Sequence, residues 1–217
     1  APAAVTAPRQ IGERQTFLAS NLSSSRMFEV EAELRAVGQH IYLWVEAGTQ
    51  IDNSQFQALA DAFDTRIYGP VRALWGSEAT PGIDGDPRLY GLFARGLGQG
   101  TAAYYSRRHS YPAEAVPSSN GHEMFFFNLD ALGAQVASRD VEATLAHEFQ
   151  HMIRANIDGN QDGWLDEGFS TFTELYLGYT GSLWTVTNFL GDPGTQLNTW
   201  AVAGPSGPHY VASLLFV

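Results

Sequence analysis

A chain of 217 residues with 44% hydrophobic and 12% aromatic content can build a sizeable core, and 16% charged residues is low for a disordered chain. A net charge of −11 and a pI of about 4.8 argue against nucleic acid or an anionic membrane as the main partner. The chain has no Cys, which excludes disulfides and thiolate metal ligands, and no apolar run of membrane-spanning length.

Residues 1–25 are rich in Ala, Pro and Ser and read as an extended N-terminal arm. Two strand-like runs follow, Met27–Val37 and His40–Val45, joined near Gly38. From Gln55 to Leu74 the residues Phe56, Leu59, Ala60, Phe63, Ile67 and Val71 recur at helical spacing, which predicts an amphipathic helix. Leu89–Ala94 and Thr101–Ser106 read as two strands across a Gly-rich turn, and the apolar run Glu123–Leu129 as another. Beyond residue 137 the pattern turns helical. Ser138 or Asp140 can cap a helix whose buried stripe is Val141, Leu145, Phe149, Met152 and Ile153. A second helix is expected from Leu165 to Leu177, and a last one starts near His209. The fold class is therefore α+β. One domain is expected over 26–217, with an α/β sheet part at 26–137 and a helical part at 138–217. The apolar ending Leu214-Leu215-Phe216-Val217 reads as the end of a fragment or as a point where a longer chain continues.

His147-Glu148-Phe149-Gln150-His151 carries the chemistry. Positions i and i+4 share a helix face, so both imidazoles can reach one metal ion, while Glu148 flanks it without ligating. Two His nitrogens and one carboxylate are a catalytic zinc set with one position left for water. Glu167, which opens the next helix, can return across the turn as third ligand. Glu174, two turns further on the same face, can accept a hydrogen bond from the far nitrogen of a ligating His. Asp166 and Glu174 are also the substitutes if Glu167 falls short. Asp158, Asn160 and Asp162 match the start of a calcium loop, but Phe169 stands where the bidentate Glu is needed. A tight polar turn is the simpler reading, with Ca²⁺ a lesser alternative.

Trp164-Leu165-Asp166-Glu167-Gly168-Phe169-Ser170 resembles the W-L-N-E-G-F-A stretch of aminopeptidase-N-like enzymes. Together with the pentad it resembles the gluzincins, and more strongly still the hyicolysin-type bacterial neutral zinc peptidases. The likeness is specific over residues 140–180. It departs in a shorter gap between His151 and Glu167 and in Asp166 replacing Asn. The resemblance implies a zincin-like catalytic domain with one Zn²⁺ on His147, His151 and Glu167 and Glu148 as general base; Glu174 and Asp166 are the candidates to brace the ligands. It implies a polypeptide substrate, and a bacterial protein that is secreted or periplasmic; a monomer is expected. It also implies an oxyanion donor after the Glu-bearing helix, for which Tyr210 is the candidate and His209 the second. Substrate is expected along a sheet edge, for which Phe127 and Asn128 are the candidates, although three consecutive Phe equally suit a buried strand. An endopeptidase leads. A zinc aminopeptidase is the alternative, but the Gly-x-Met-Glu-Asn signature that grips a free amine is absent. A surface or adhesion module with a degenerate site is the non-catalytic alternative, against which the intact Glu148 counts.

Overall fold

In a computed structural model, described over residues 8–181, 186–191, 193–194, 196–199 and 207–217, six strands form one curled mixed sheet. They are β1 (Arg14–Asn21), β2 (Arg26–Val37), β3 (Ile41–Glu46), β4 (Leu89–Ala94), β5 (Ala103–Tyr105) and β6 (Met124–Asn128). The spatial order is β1-β2-β3-β4-β6-β5. β1, β2 and β3 pair antiparallel, β3/β4 and β4/β6 pair parallel, and β5 returns antiparallel on β6. The α+β class is as expected.

Two details correct the sequence reading. Residues 14–21, assigned to the extended arm, form β1, whose Phe17 and Ala19 are fully buried. Their alternation with the less buried Thr16, Leu18 and Ser20 gives the strand one core face. Nor do β4 and β5 pair across their Gly-rich turn: β6 inserts between them. β6 is buried along its whole length, so it competes better for the central position than β5, with its partly exposed ends.

Strand alternation divides the core in two. Leu43, Val45, Phe93, Phe125 and Phe127 face the helices, while Tyr42, Trp44, Tyr90, Leu92 and Phe126 pack on the other face with Phe17 and Leu34. Between β3 and β4 the expected long helix is built in three pieces: α1 (Asn53–Ala62), a wider π-type turn at Phe63–Ile67, and α2 (Tyr68–Trp75). In that turn Asp64 accepts the Gln39 and His40 N–H groups at 2.5 and 2.9 Å, tying the helices to the β2–β3 turn.

After β6 and a single helical turn, α3 (Leu129–Leu132), come α4 (Arg139–Ile157) and α5 (Gly163–Tyr176). Ser138 caps α4 by accepting the Val141 N–H at 3.3 Å. The stripe Val141, Leu145, Phe149, Met152 and Ile153 is buried. Phe149 is its centre, with ring centroids 5.2 Å from Phe63 and 5.6 Å from Tyr68. Burying that stripe turns the opposite face of α4 toward α5. α6 (Val186–Gly191) and α7 (Gly207–Phe216) complete the described helices. Among the described residues no helix is long and apolar enough to cross a membrane.

Candidate metal centre

Three contacts fix α4 and α5 against each other and against the helical layer. Gln150, fully buried, accepts the Ser170 hydroxyl hydrogen bond at 2.5 Å. Trp75 Nε1 donates to Thr173 Oγ1 at 2.7 Å. Arg66, Arg139 and Tyr179 all converge on the buried Glu142 near the start of α4. The α4 face left over carries His147 and His151, whose ring centroids are 4.8 Å apart.

The ring nitrogens of both His are sorted by carboxylates. His147 Nδ1 lies 2.8 Å from Glu174 Oε1, and His151 Nδ1 lies 2.8 Å from Asp166 Oδ2. Their Nε2 atoms converge on one oxygen, Glu167 Oε2, at 3.1 Å from His147 and 3.6 Å from His151. Each of these three residues offers a ligand atom, all within 4.8 Å of one another, which a single metal ion could bridge. When the Nδ1 protons are held by Glu174 and Asp166, the Nε2 lone pairs are left to face that point. The donor set therefore fits a metal ion by position and by chemistry.

Electrostatics tighten the cluster. Burial disfavours the imidazolium form of His147, but hydrogen bonds and charges from Glu167 and Glu174 outweigh it and raise its pKa well above the ordinary value. For His151 burial is likewise outweighed, by Asp166 and Glu167, and the pKa rises to about 9. Burial alone would raise the Glu167 carboxyl, but the two imidazoles bring it well below the usual carboxylate range. Glu148 is buried, and burial pushes its pKa up; the two His and the Tyr105 backbone N–H only partly offset this. Tyr210 on α7 places its ring centroid 6.5 Å from that of His147. Burial and the charges of Glu167, Glu148 and Glu174 raise its phenol far above the ordinary value, so it stays protonated. The cluster of His147, Glu148, His151, Asp166, Glu167, Glu174 and Tyr210 thus meets in one place.

Gly168 explains how α7 reaches this place. A Cβ there would stand 2.9 Å from the Ser213 carbonyl oxygen of α7. Only Gly lets α5 and α7 approach so closely. Beside the cluster lies a cavity of about 360 Å³ walled by His151, Glu167, Tyr105 and Arg154.

Phe127 and Asn128 are not at a sheet edge. Both are buried between β4 and β5, and Asn128 donates to the Gly98 and Thr101 carbonyls at 2.9 Å each. The edge strand on this side is β5, whose Tyr105 lines the cavity. Asp158, Asn160 and Asp162 fall in the α4–α5 turn. Asp158 accepts the Asn160 N–H at 3.2 Å and lies 3.6 Å from Arg154. Tyr105, Arg107, Arg154 and Gln161 line the cavity without having been singled out in the sequence. Arg154 follows His151 by three residues on α4, a helical spacing that could have drawn attention to it; Arg107, opening a 3₁₀ turn after β5, carried no such signal.

These features define an α+β protein whose two adjoining helices present a His-His-Glu group able to hold a metal ion, with a buried carboxylate and a tyrosine beside it. The chain is 26% identical over 231 residues to the neutral metalloprotease ShpI of Staphylococcus hyicus, a match covering 95% of this chain and 51% of that protein. The chain spans about half the length of that relative. No protein-family model matches the chain.

Proposed function

We propose that this chain is a zinc endopeptidase of the gluzincin type, with 26–217 plus strand β1 as one zincin-like catalytic domain. The observation that carries the proposal is that His147, His151 and Glu167 each offer a ligand atom, all within 4.8 Å of one another, with buried Glu148 on the same helix. The likeness to a protein named a neutral metalloprotease supports a peptidase.

His147, His151 and Glu167 would hold the ion. A zinc ion held there would contribute Lewis-acid chemistry and would lower the pKa of water toward neutral. Glu148, buried on the same helix between the two His, is placed to accept a proton from water and return it to the leaving amine as general base and acid. Tyr210, kept protonated by burial, donates to the oxyanion of the tetrahedral intermediate. Asp166 and Glu174 hold the two imidazoles in orientation. The substrate backbone runs along β5, the edge strand bordering the cavity. On the likeness of the pentad and the Trp164–Ser170 stretch to hyicolysin-type peptidases, we place the enzyme outside the cytoplasm as a monomer acting on polypeptides.

Glu148→Gln tests the mechanism. It should keep its zinc, measured by elemental analysis, and lose casein cleavage by roughly 10²–10⁴-fold, the usual contribution of a general base. Full activity in Glu148→Gln would contradict the role given to this carboxylate. Cleavage of an N-blocked peptide by the wild type separates an endopeptidase from an aminopeptidase.

A further inference from the structure

The cavity beside the metal group is more than a passage to it, because its polar walls are unevenly satisfied. Among the described residues Arg107 has no ion pair and no hydrogen bond; its guanidinium only faces the Tyr111 ring at 5.9 Å. It opens the short 3₁₀ turn Arg107–Ser110 that follows the edge strand β5, and it borders the cavity of about 360 Å³. It also borders a smaller neighbouring one of about 120 Å³, which shares Tyr105 and Ala155 with the first. The other charges of the cavity are taken: Arg154 pairs with Asp158 at 3.6 Å, Asp166 with His151 at 2.8 Å, and Glu167 with both His.

Three buried polar atoms on the same walls lack protein partners: Arg154 Nε, a donor, and Gln161 Oε1 and Asp166 Oδ1, both acceptors. A ligand that satisfies this set carries N–H groups for the two acceptors and an anionic group for Arg107, with the Arg154 Nε–H as a further donor. A polypeptide supplies N–H from its backbone; the anion must come from a side chain. Arg107 is exposed, and its guanidinium lies against the α4–α5 turn at Gly159. A Cβ at Gly159 would collide with Arg107 Nη1, so the missing side chain in the α4–α5 turn is the space into which the guanidinium fits.

Resting on the peptidase reading, we infer that Arg107, assisted by Arg154, is a specificity-determining residue that receives the carboxylate of an acidic residue flanking the scissile bond. Guanidinium–carboxylate pairs are charge-assisted and often two-pronged, which favours Glu or Asp over the neutral amide of the same shape.

The test uses peptides blocked at both ends that differ only in Glu, Gln, Lys or Leu at each of the two positions flanking the cleaved bond. The zinc-loaded wild type should cleave the Glu peptide with a kcat/KM about tenfold above the Gln peptide at one of those positions. That ratio should fall to about one in Arg107→Ala. It should fall part of the way in Gly159→Ala, which displaces the guanidinium without removing it. Equal rates for Glu and Gln, or a preference for Lys, would overturn the assignment. Binding of the same peptides to zinc-loaded Glu148→Gln, followed by calorimetry, gives a second reading that needs no turnover. Glu should bind about tenfold tighter than Gln, and the difference should vanish when Arg107→Ala is added. Cleavage of none of the peptides would count against the peptidase reading, and the calorimetry would still decide the role of Arg107.

Discussion

His147 and His151 are set apart from an ordinary surface pair by what holds their second nitrogens. Glu174 and Asp166 each lie 2.8 Å from an Nδ1, which leaves both Nε2 atoms aimed at Glu167. Such bracing carboxylates fix ring orientation and raise ligand basicity. Glu174→Gln and Asp166→Asn should each weaken zinc binding by about 10–100-fold without unfolding the chain, read by competition with a metal-binding dye. Unchanged affinity in both variants would show that the imidazoles need no such support. The two His and Glu148 were legible in the sequence because a helix repeats every 3.6 residues, so five letters dictate one face. Glu167 was legible as a carboxylate at short distance, and Tyr210 only through a family resemblance. Arg107 was not legible, because its position depends on a short turn after an edge strand meeting Gly159, far along the chain. Phe127 and Asn128 were misplaced for a related reason. Their apolar run was visible, but whether such a run lies at the edge or in the middle is decided by which distant strand pairs with it.

At the scale of elements, the site depends on how closely α4, α5 and α7 approach one another. The buried stripe of α4 locks into Phe63, Tyr68 and Phe125, which orients its polar face. Gly168 then sets the distance between α5 and α7, and through it the position of Tyr210 above His147. In Gly168→Ala the added methyl meets backbone rather than a flexible side chain, so α7 must shift. That variant should keep its zinc and KM while losing about tenfold or more in kcat, as when a transition-state donor is misplaced. Unaltered kcat would remove Tyr210 and α7 from the mechanism. The helices themselves could be read from periodicity and from the cap Ser138. The break at Phe63–Ile67 could not, because it answers to the β2–β3 turn, which Asp64 reaches from the helix. Strand β1 was poorly readable: the apolar Leu18 between Phe17 and Ala19 blurs the alternation, and Ala, Pro and Ser on either side mask it further.

For the molecule as a whole, the cluster links stability, protons and metal. In chelator-treated protein the raised His147 and His151 values mean that folding favours their protonated forms. That contribution is complete below the ordinary histidine value of 6.5 and is lost as pH rises through about 9. The lowered Glu167 value works in the other direction, its contribution being complete above 4.5 and lost as pH falls below it. Metal-free protein should therefore melt at a lower temperature at pH 9.5 than at pH 6, and the drop should shrink in His151→Ala. The zinc-loaded form should gain stability over the same range, because the metal competes with those protons for Nε2. An alkaline drop of the same size in His151→Ala would dissociate it from this cluster. The central claim is that α4 and α5 together build one zinc site, and metal content with coordination tests it most directly. Elemental analysis and X-ray absorption on the purified, zinc-loaded chain should find about one zinc per chain, bound by two imidazole nitrogens and carboxylate oxygen, and lost in a His147→Ala, His151→Ala double variant. Absence of bound zinc after loading, or zinc retained unchanged in that double variant, would contradict it.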